Sequence, residues 1–205
     1  MLSLRSAAKS IILWDPFSKV ISTRNLAQKV SLQQPISLRR LIELSTWIRL
    51  KFVMQHQQQT NWCWSAVAVS VCKFFNPDCS WAQCSLVNAE FERSDCCNNG
   101  SSSYCNTIWY LDRVLSRTGN LRSWSSGTAS IDNIIEEINS SHPICVRIGW
   151  PGGGGHFVAI GGYYSLLRMV AVEDPWYGSS TIPLDTFISS YKGSGMWTHT
   201  YYVEP

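Results

Sequence analysis

Cys63, His156 and Asp174 are the residues of this chain whose types and order could carry out nucleophilic chemistry. A thiol attacks a carbonyl as its thiolate, and a helix N-terminus and a neighbouring imidazolium are two common ways of stabilising that anion. Cys63 follows Thr60 and Asn61, either of which would cap a helix running from Trp62 to Phe75. His156 follows Gly152 to Gly155 and opens an apolar, β-compatible run, so a tight glycine turn delivers an imidazole to a strand edge. An imidazole acting as a base needs its other nitrogen held by a partner. Asp174 closes the next apolar run, where a hairpin would bring it back beside His156. Gln57, just upstream of Cys63, has a side-chain amide that could donate to a developing oxyanion together with the Cys63 main-chain N–H. Its neighbours Gln55, Gln58 and Gln59 leave the register of that role open.

These residues need two kinds of element. Helical patterns at 62–75, 81–93 and 108–117 come first, the last ended by Gly119-Asn120. Between them residues 94–106, rich in Ser, Asn and Cys, read as a loop. A further helix is expected over 131–140, then strands over 143–149, 156–161 and 169–173, with turns at Gly161-Gly162 and Asp174 to Ser179. Helices first and strands second argue for an α+β fold of two lobes, an N-terminal helical lobe with the cysteine at a helix start and a C-terminal antiparallel β lobe. The reactive residues would then meet in the cleft between them. Trp62, Trp64, Trp150, Gly154, Gly155 and Trp176 are the candidates for lining a groove that holds an extended substrate.

Composition narrows the function. The chain has 205 residues, 45% of them apolar, enough for one domain with a substantial core. The net charge of +3 is misleading, because residues 1–51 carry nine Lys or Arg against Asp15 and Glu43, and the remainder is mildly acidic. The folded part therefore lacks the basic surface that nucleic-acid binding needs. No apolar run is long enough to span a membrane, and Ile11 to Trp14 is too short for a secretory signal. Residues 1–52 read as a basic appendage, a leader, pro-region or packing element, ahead of a domain over 53–205. Within it Ile36, Leu38, Leu41, Ile42, Leu44, Trp47 and Ile48 recur at near-helical spacing, with Arg39, Arg40 and Arg49 largely between them, which predicts an amphipathic helix.

Of eight cysteines, Cys145 falls in an expected core strand, where a free thiol is the usual state. Cys72, Cys79, Cys84, Cys96, Cys97 and Cys105 cluster in the helical half and suggest disulfide staples, with the pairing left open. A structural zinc site is the competing account, although no Cys-x2-Cys spacing occurs.

The blocks Asn61-Trp-Cys-Trp64, Gly155-His-Phe-Val-Ala-Ile-Gly-Gly-Tyr163 and Asp174-Pro-Trp-Tyr-Gly178 occur in this order and resemble the papain-like cysteine peptidases. The similarity is to the compact bacterial branch of AvrRpt2-type effector peptidases and peptidase C39-like domains, and it covers roughly residues 53–205. The Cys-Gly-Ser-Cys-Trp signature of plant and lysosomal papains is absent, and Asp174 stands where those enzymes have Asn. The resemblance implies an endopeptidase with a Cys63–His156–Asp174 triad and Gln57 as oxyanion donor, using no metal or cofactor. It implies a protein or peptide substrate, with a host protein as a target, and a place of action outside the producing cell, although a cytoplasmic one stays open. No nucleic acid and no stable membrane insertion are expected. The same thiol could instead serve a deamidase, transglutaminase or amidase, and a non-catalytic binding module on this fold is the third alternative.

Overall fold

The computed structural model describes residues 47–205. Its elements are strand β1 (Trp47–Arg49), helices α1 (Cys63–Phe75), α2 (Gln83–Phe91) and α3 (Leu111–Arg117), strand β2 (Leu121–Ser126), helix α4 (Ile131–Asn139), strands β3 (Ile144–Gly149), β4 (Gly155–Tyr164), β5 (Met169–Asp174) and β6 (Gly178–Pro183), helix α5 (Leu184–Ser190), and strand β7 (Met196–Val203). The strands form one seven-stranded sheet in the order β2-β7-β3-β4-β5-β6, with β1 added along the far end of β4; every pairing is antiparallel. The fold is α+β, as the order of sequence patterns predicts, with β1, β2, β6 and β7 completing the sheet.

The sheet is covered on both faces, which explains why β3 and β4 read as nearly continuous apolar runs. On one face Cys145, Phe157, Ala159, Tyr201 and Val203 pack with Trp64, Val67, Val71, Leu111 and Leu115 of α1 and α3. On the other, Val146, Ile148, Val158, Ile160 and Val172 pack with Ile134 and Ile138 of α4 and with Leu184 and Phe187 of α5. Every residue of α1 from Cys63 to Cys72 is buried, as befits a helix apolar all round. Fully burying each of its larger apolar side chains contributes about 1.5–3 kcal/mol. The small residues Ala66, Ala68 and Ser70 let neighbours approach closely, and Ser70 Oγ satisfies itself on the Ala66 carbonyl at 2.6 Å while accepting from Gln55 N at 2.9 Å.

Two expectations need correction. Trp47 and Ile48, assigned by their spacing to an amphipathic helix, form β1, in register with Tyr164 and Tyr163. The partly buried Ile48 and Leu50 and the buried Phe52 alternate with exposed residues, a period of two that short-range spacing alone did not separate from a helical one. The rest of that helix lies outside the described residues. Gly161-Gly162 is not a turn either. The chain continues through it to Tyr164, with a register irregularity between Ile160 and Gly162, and turns at Ser165–Arg168. The glycine is there because β1 lies against it: a Cβ on Gly162 would sit 2.5 Å from the Ile48 carbonyl oxygen.

The six clustered cysteines form three disulfides, Cys72–Cys79, Cys84–Cys97 and Cys96–Cys105, leaving Cys63 and Cys145 as buried free thiols. The metal alternative fails on chemistry. The sole described cluster with metal-compatible groups is Asp95, Cys96 and Cys105, and two of its three ligand atoms are already bonded to each other.

Candidate active site

Cys63 is the first residue of α1, so its main-chain N–H has no intrahelical acceptor and the positive end of the helix faces its sulfur. The expected caps, Thr60 and Asn61, are not used as caps. The cap position is Trp62, which has no capping side-chain bond. The entry is held by longer-range contacts instead. Asn61 N donates to Asn106 Oδ1 at 2.9 Å and Asn61 Nδ2 to the Asn106 carbonyl at 2.8 Å, while Trp62 Nε1 donates to the Cys105 carbonyl at 2.8 Å. On the other side Gln58 N donates to Gln83 Oε1 at 2.9 Å, and Gln83 Nε2 donates to the His56 carbonyl at 2.9 Å. The Cys96–Cys105 disulfide thus pins the loop that pins the start of α1.

His156 and Asp174 come from β4 and β5, neighbours in the sheet. The His156 Nε2 lies 2.9 Å from Asp174 Oδ1, which leaves Nδ1 for the Cys63 sulfur, with which the ring also interacts. Burial works against a charged imidazole, but the hydrogen bonds and charges of Asp174 and Cys63 outweigh it and raise the His156 pKa to about 9. Burial also opposes the charge of Asp174, yet its hydrogen bond to His156, followed by those from Tyr191 and the main chain, holds it below the usual carboxylate range. Asp174 Oδ1 also accepts the main-chain N–H groups of Trp176 and Tyr177 at 2.7 and 2.9 Å, the geometry of an Asx turn, and Oδ2 accepts from Tyr191 Oη at 2.7 Å. Tyr191 was not among the sequence candidates. It comes from the turn after α5, and no local spacing links it to Asp174.

Gln57 lies at the site, its N–H bonded to the Pro175 carbonyl at 2.9 Å. Its Nε2 donates to the Gln59 and Thr60 carbonyls at 2.8 Å each, and its buried Oε1 has no partner. The amide therefore braces the turn into α1 in this conformation.

Cys63 and His156 open onto a cleft of about 920 Å³ whose walls include Trp64, Trp109, Tyr110, Trp124, Arg147, Gly154, Gly155 and Tyr201. A smaller hollow of about 270 Å³ lies beside His156 and Gly155, lined by Gln57, Trp150, Trp176 and Tyr177. Of the groove candidates, Trp150, Gly154, Gly155 and Trp176 line one of these spaces, while Trp64 backs the cleft as a fully buried core residue. Trp62 lines neither: it is 1% exposed and packs in the core with its indole N–H on Cys105. Trp109, Tyr110, Trp124 and Arg147 were missed because α3, β2 and β3 reach the cleft only through the tertiary fold. Gly155 has a local reason to be glycine, since a Cβ there would meet the Arg147 guanidinium carbon at 2.8 Å. That guanidinium is fixed by Thr198 Oγ1 at 3.0 Å and the Gly154 carbonyl at 3.2 Å.

The profile of the Peptidase C39 like family matches residues 49–199, a span that includes Cys63, His156 and Asp174. No curated protein matches the chain. Twenty-nine solved chains do. One is the Pseudomonas avirulence protein AvrPphB, 11% identical, with an alignment covering 75% of this chain and 98% of that one at a TM-score of 0.36. On the family match, which spans more than half of its length, this chain belongs to the peptidase C39-like family.

Proposed function

We propose that the chain is an endopeptidase in which Cys63 is the nucleophile, His156 the acid–base and Asp174 the group that orients it. The observation that carries this reading is the pairing of a thiol at a helix N-terminus with an imidazole whose far nitrogen is 2.9 Å from a buried carboxylate. In the cycle, the Cys63 thiolate adds to a peptide carbonyl and the oxyanion takes hydrogen bonds from the Cys63 N–H. His156 gives its proton to the leaving amine as the C–N bond breaks. Neutral His156 then takes a proton from water, the resulting hydroxide attacks the thioester, and the acid product leaves the thiolate behind with His156 protonated. Gln57 is assigned as the second oxyanion donor. It lines the hollow beside His156, and it would take part by turning its amide from the Gln59 and Thr60 carbonyls toward the incoming oxygen.

In this reading the catalytic domain takes in β1 and Phe52 together with residues 53–205, and the basic appendage is the segment ahead of β1. The three disulfides support action in an oxidising compartment outside the producing cell, and the substrate in this reading is a protein or peptide. Among the described residues no helix is long and apolar enough to cross a membrane.

The test is a peptide-library digest read by mass spectrometry, with Cys63→Ala as control. Main-chain scission by the native protein, lost by at least about a thousandfold in the variant with an unchanged circular dichroism spectrum, is the expected result. Products with a mass gain at glutamine and no scission would replace the reading with a deamidase. Undiminished scission in Cys63→Ala would end it.

A further inference from the structure

The carboxylate that orients His156 is itself held by a residue no sequence motif contains. Asp174 is 2% exposed and Tyr191 1% exposed. The Tyr191 hydroxyl donates to Asp174 Oδ2 at 2.7 Å, while all three other donors, His156 Nε2 and the Trp176 and Tyr177 N–H groups, fall on Oδ1. One oxygen is thus crowded with donors and the other has a single side chain. A buried carboxylate oxygen stripped of its donor is left unsatisfied, and the group rotates or protonates to avoid that.

The phenol is placed rigidly. Its ring packs edge-on against Phe187 at 5.3 Å, its main chain pairs with Gly195, and the Lys192 ammonium lies 5.5 Å from its ring centre. Burial and the Asp174 carboxylate both push the Tyr191 hydroxyl well above its ordinary range, so it remains a donor through the working pH range. We infer that Tyr191 is a positioning residue of the catalytic apparatus, which locks the Asp174 carboxylate so that Oδ1 stays aimed at His156 Nε2. It acts through Asp174 and does not touch substrate. The inference rests on the triad proposed above and extends it to a fourth member.

The test is Tyr191→Phe, which keeps the ring against Phe187 and deletes only the hydroxyl. His156 is followed by its imidazole NMR signals across pH, in otherwise native protein and in an Asp174→Asn background. The expected result is a His156 midpoint shifted to lower pH in Y191F, with a further loss of protection of the Nε2 proton. In the Asp174→Asn background, which already lacks the carboxylate, Y191F should add no shift. In hydrolysis, Y191F should lower kcat about tenfold with KM unchanged. An unmoved His156 midpoint in a folded Y191F protein overturns the inference, whatever happens to kcat, because a purely structural tyrosine would behave that way. So does a shift of equal size in both backgrounds. The NMR readout needs no turnover, so failure of peptidase activity overturns the proposed function and leaves the Tyr191 result to be read by itself.

Discussion

A cysteine and a histidine become a catalytic pair when the histidine stays charged beside the sulfur, and here Asp174 is the residue that supports the charge. With the His156 pKa raised to about 9, the imidazolium persists above the ordinary histidine range. In the proposed cycle the alkaline limb of the kcat/KM profile therefore falls near pH 9. Asp174→Asn removes the carboxylate charge and should move that limb down toward the ordinary histidine value of about 6.5. The same shift has a consequence for stability. A raised histidine pKa stabilises the fold fully below the unfolded value near 6.5, and that contribution fades as pH rises through about 9. Asp174, whose pKa is lowered, contributes above its unfolded value near 3.8, and its share is lost as pH falls through the lower folded value. Chemical denaturation across pH in native protein and Asp174→Asn measures both.

At the scale of elements, the β4–β5 hairpin is what brings His156 and Asp174 together, and β1 braces that hairpin from outside. Arg49 of β1 reaches Glu173, the buried neighbour of Asp174, at 2.7 Å, and Glu173 also takes the Ser179 hydroxyl. Gly162 is the point where β1 and β4 come closest. Gly162→Ala would drive a Cβ to within 2.5 Å of the Ile48 carbonyl and 3.0 Å of Arg49 Cα, both main-chain atoms with little room to give. The variant should lose about 1–3 kcal/mol in urea denaturation and loosen Arg49 from Glu173. Unchanged stability in Gly162→Ala would argue that the β1–β4 contact is dispensable to the fold.

The helical lobe owes much of its definition to crosslinks. Loops as short as those closed by the three disulfides remove about 2–3 kcal/mol of unfolded-chain freedom each, in the chain-entropy account. Reduction should therefore lower the melting temperature and release the 96–106 loop, and with it the Asn106 and Cys105 contacts that hold Asn61 and Trp62. Thiol titration provides the check. Unfolded but unreduced protein should show two thiols, Cys63 and Cys145, and unfolded, reduced protein all eight. In the native protein an alkylating reagent should take Cys63, which opens onto the cleft, and spare Cys145, a fully buried core residue whose thiol pKa burial drives upward.

Local pattern was enough to identify α1 through α4, the strands at 144–149 and 169–174, and the His156 and Asp174 ends of one hairpin, because each is written in residues close together along the chain. Capping and turn chemistry, β-branched runs and the Gly-rich approach to His156 are short-range properties, and so is the clustering of cysteines. The sequence by itself also singled out Cys63 as the candidate nucleophile, from its place at the start of an apolar helix and the order of His156 and Asp174 after it. What it did not contain was anything set by long-range register. The pairing of β1 with β4, the cysteine partners, the arrival of Trp109, Trp124 and Arg147 at the cleft and the burial of Trp62 all depend on which strand edge or loop lies opposite. Gln57 shows the difference within one residue. Its spacing from Cys63 fits an oxyanion donor, yet the folded turn engages its amide on two carbonyls. Tyr191 shows it most plainly, because its hydroxyl meets Asp174 only after α5 has packed and the chain has turned back into β7. Short-range preferences decide elements, and only the closure of the sheet with its helices decides which side chains become neighbours.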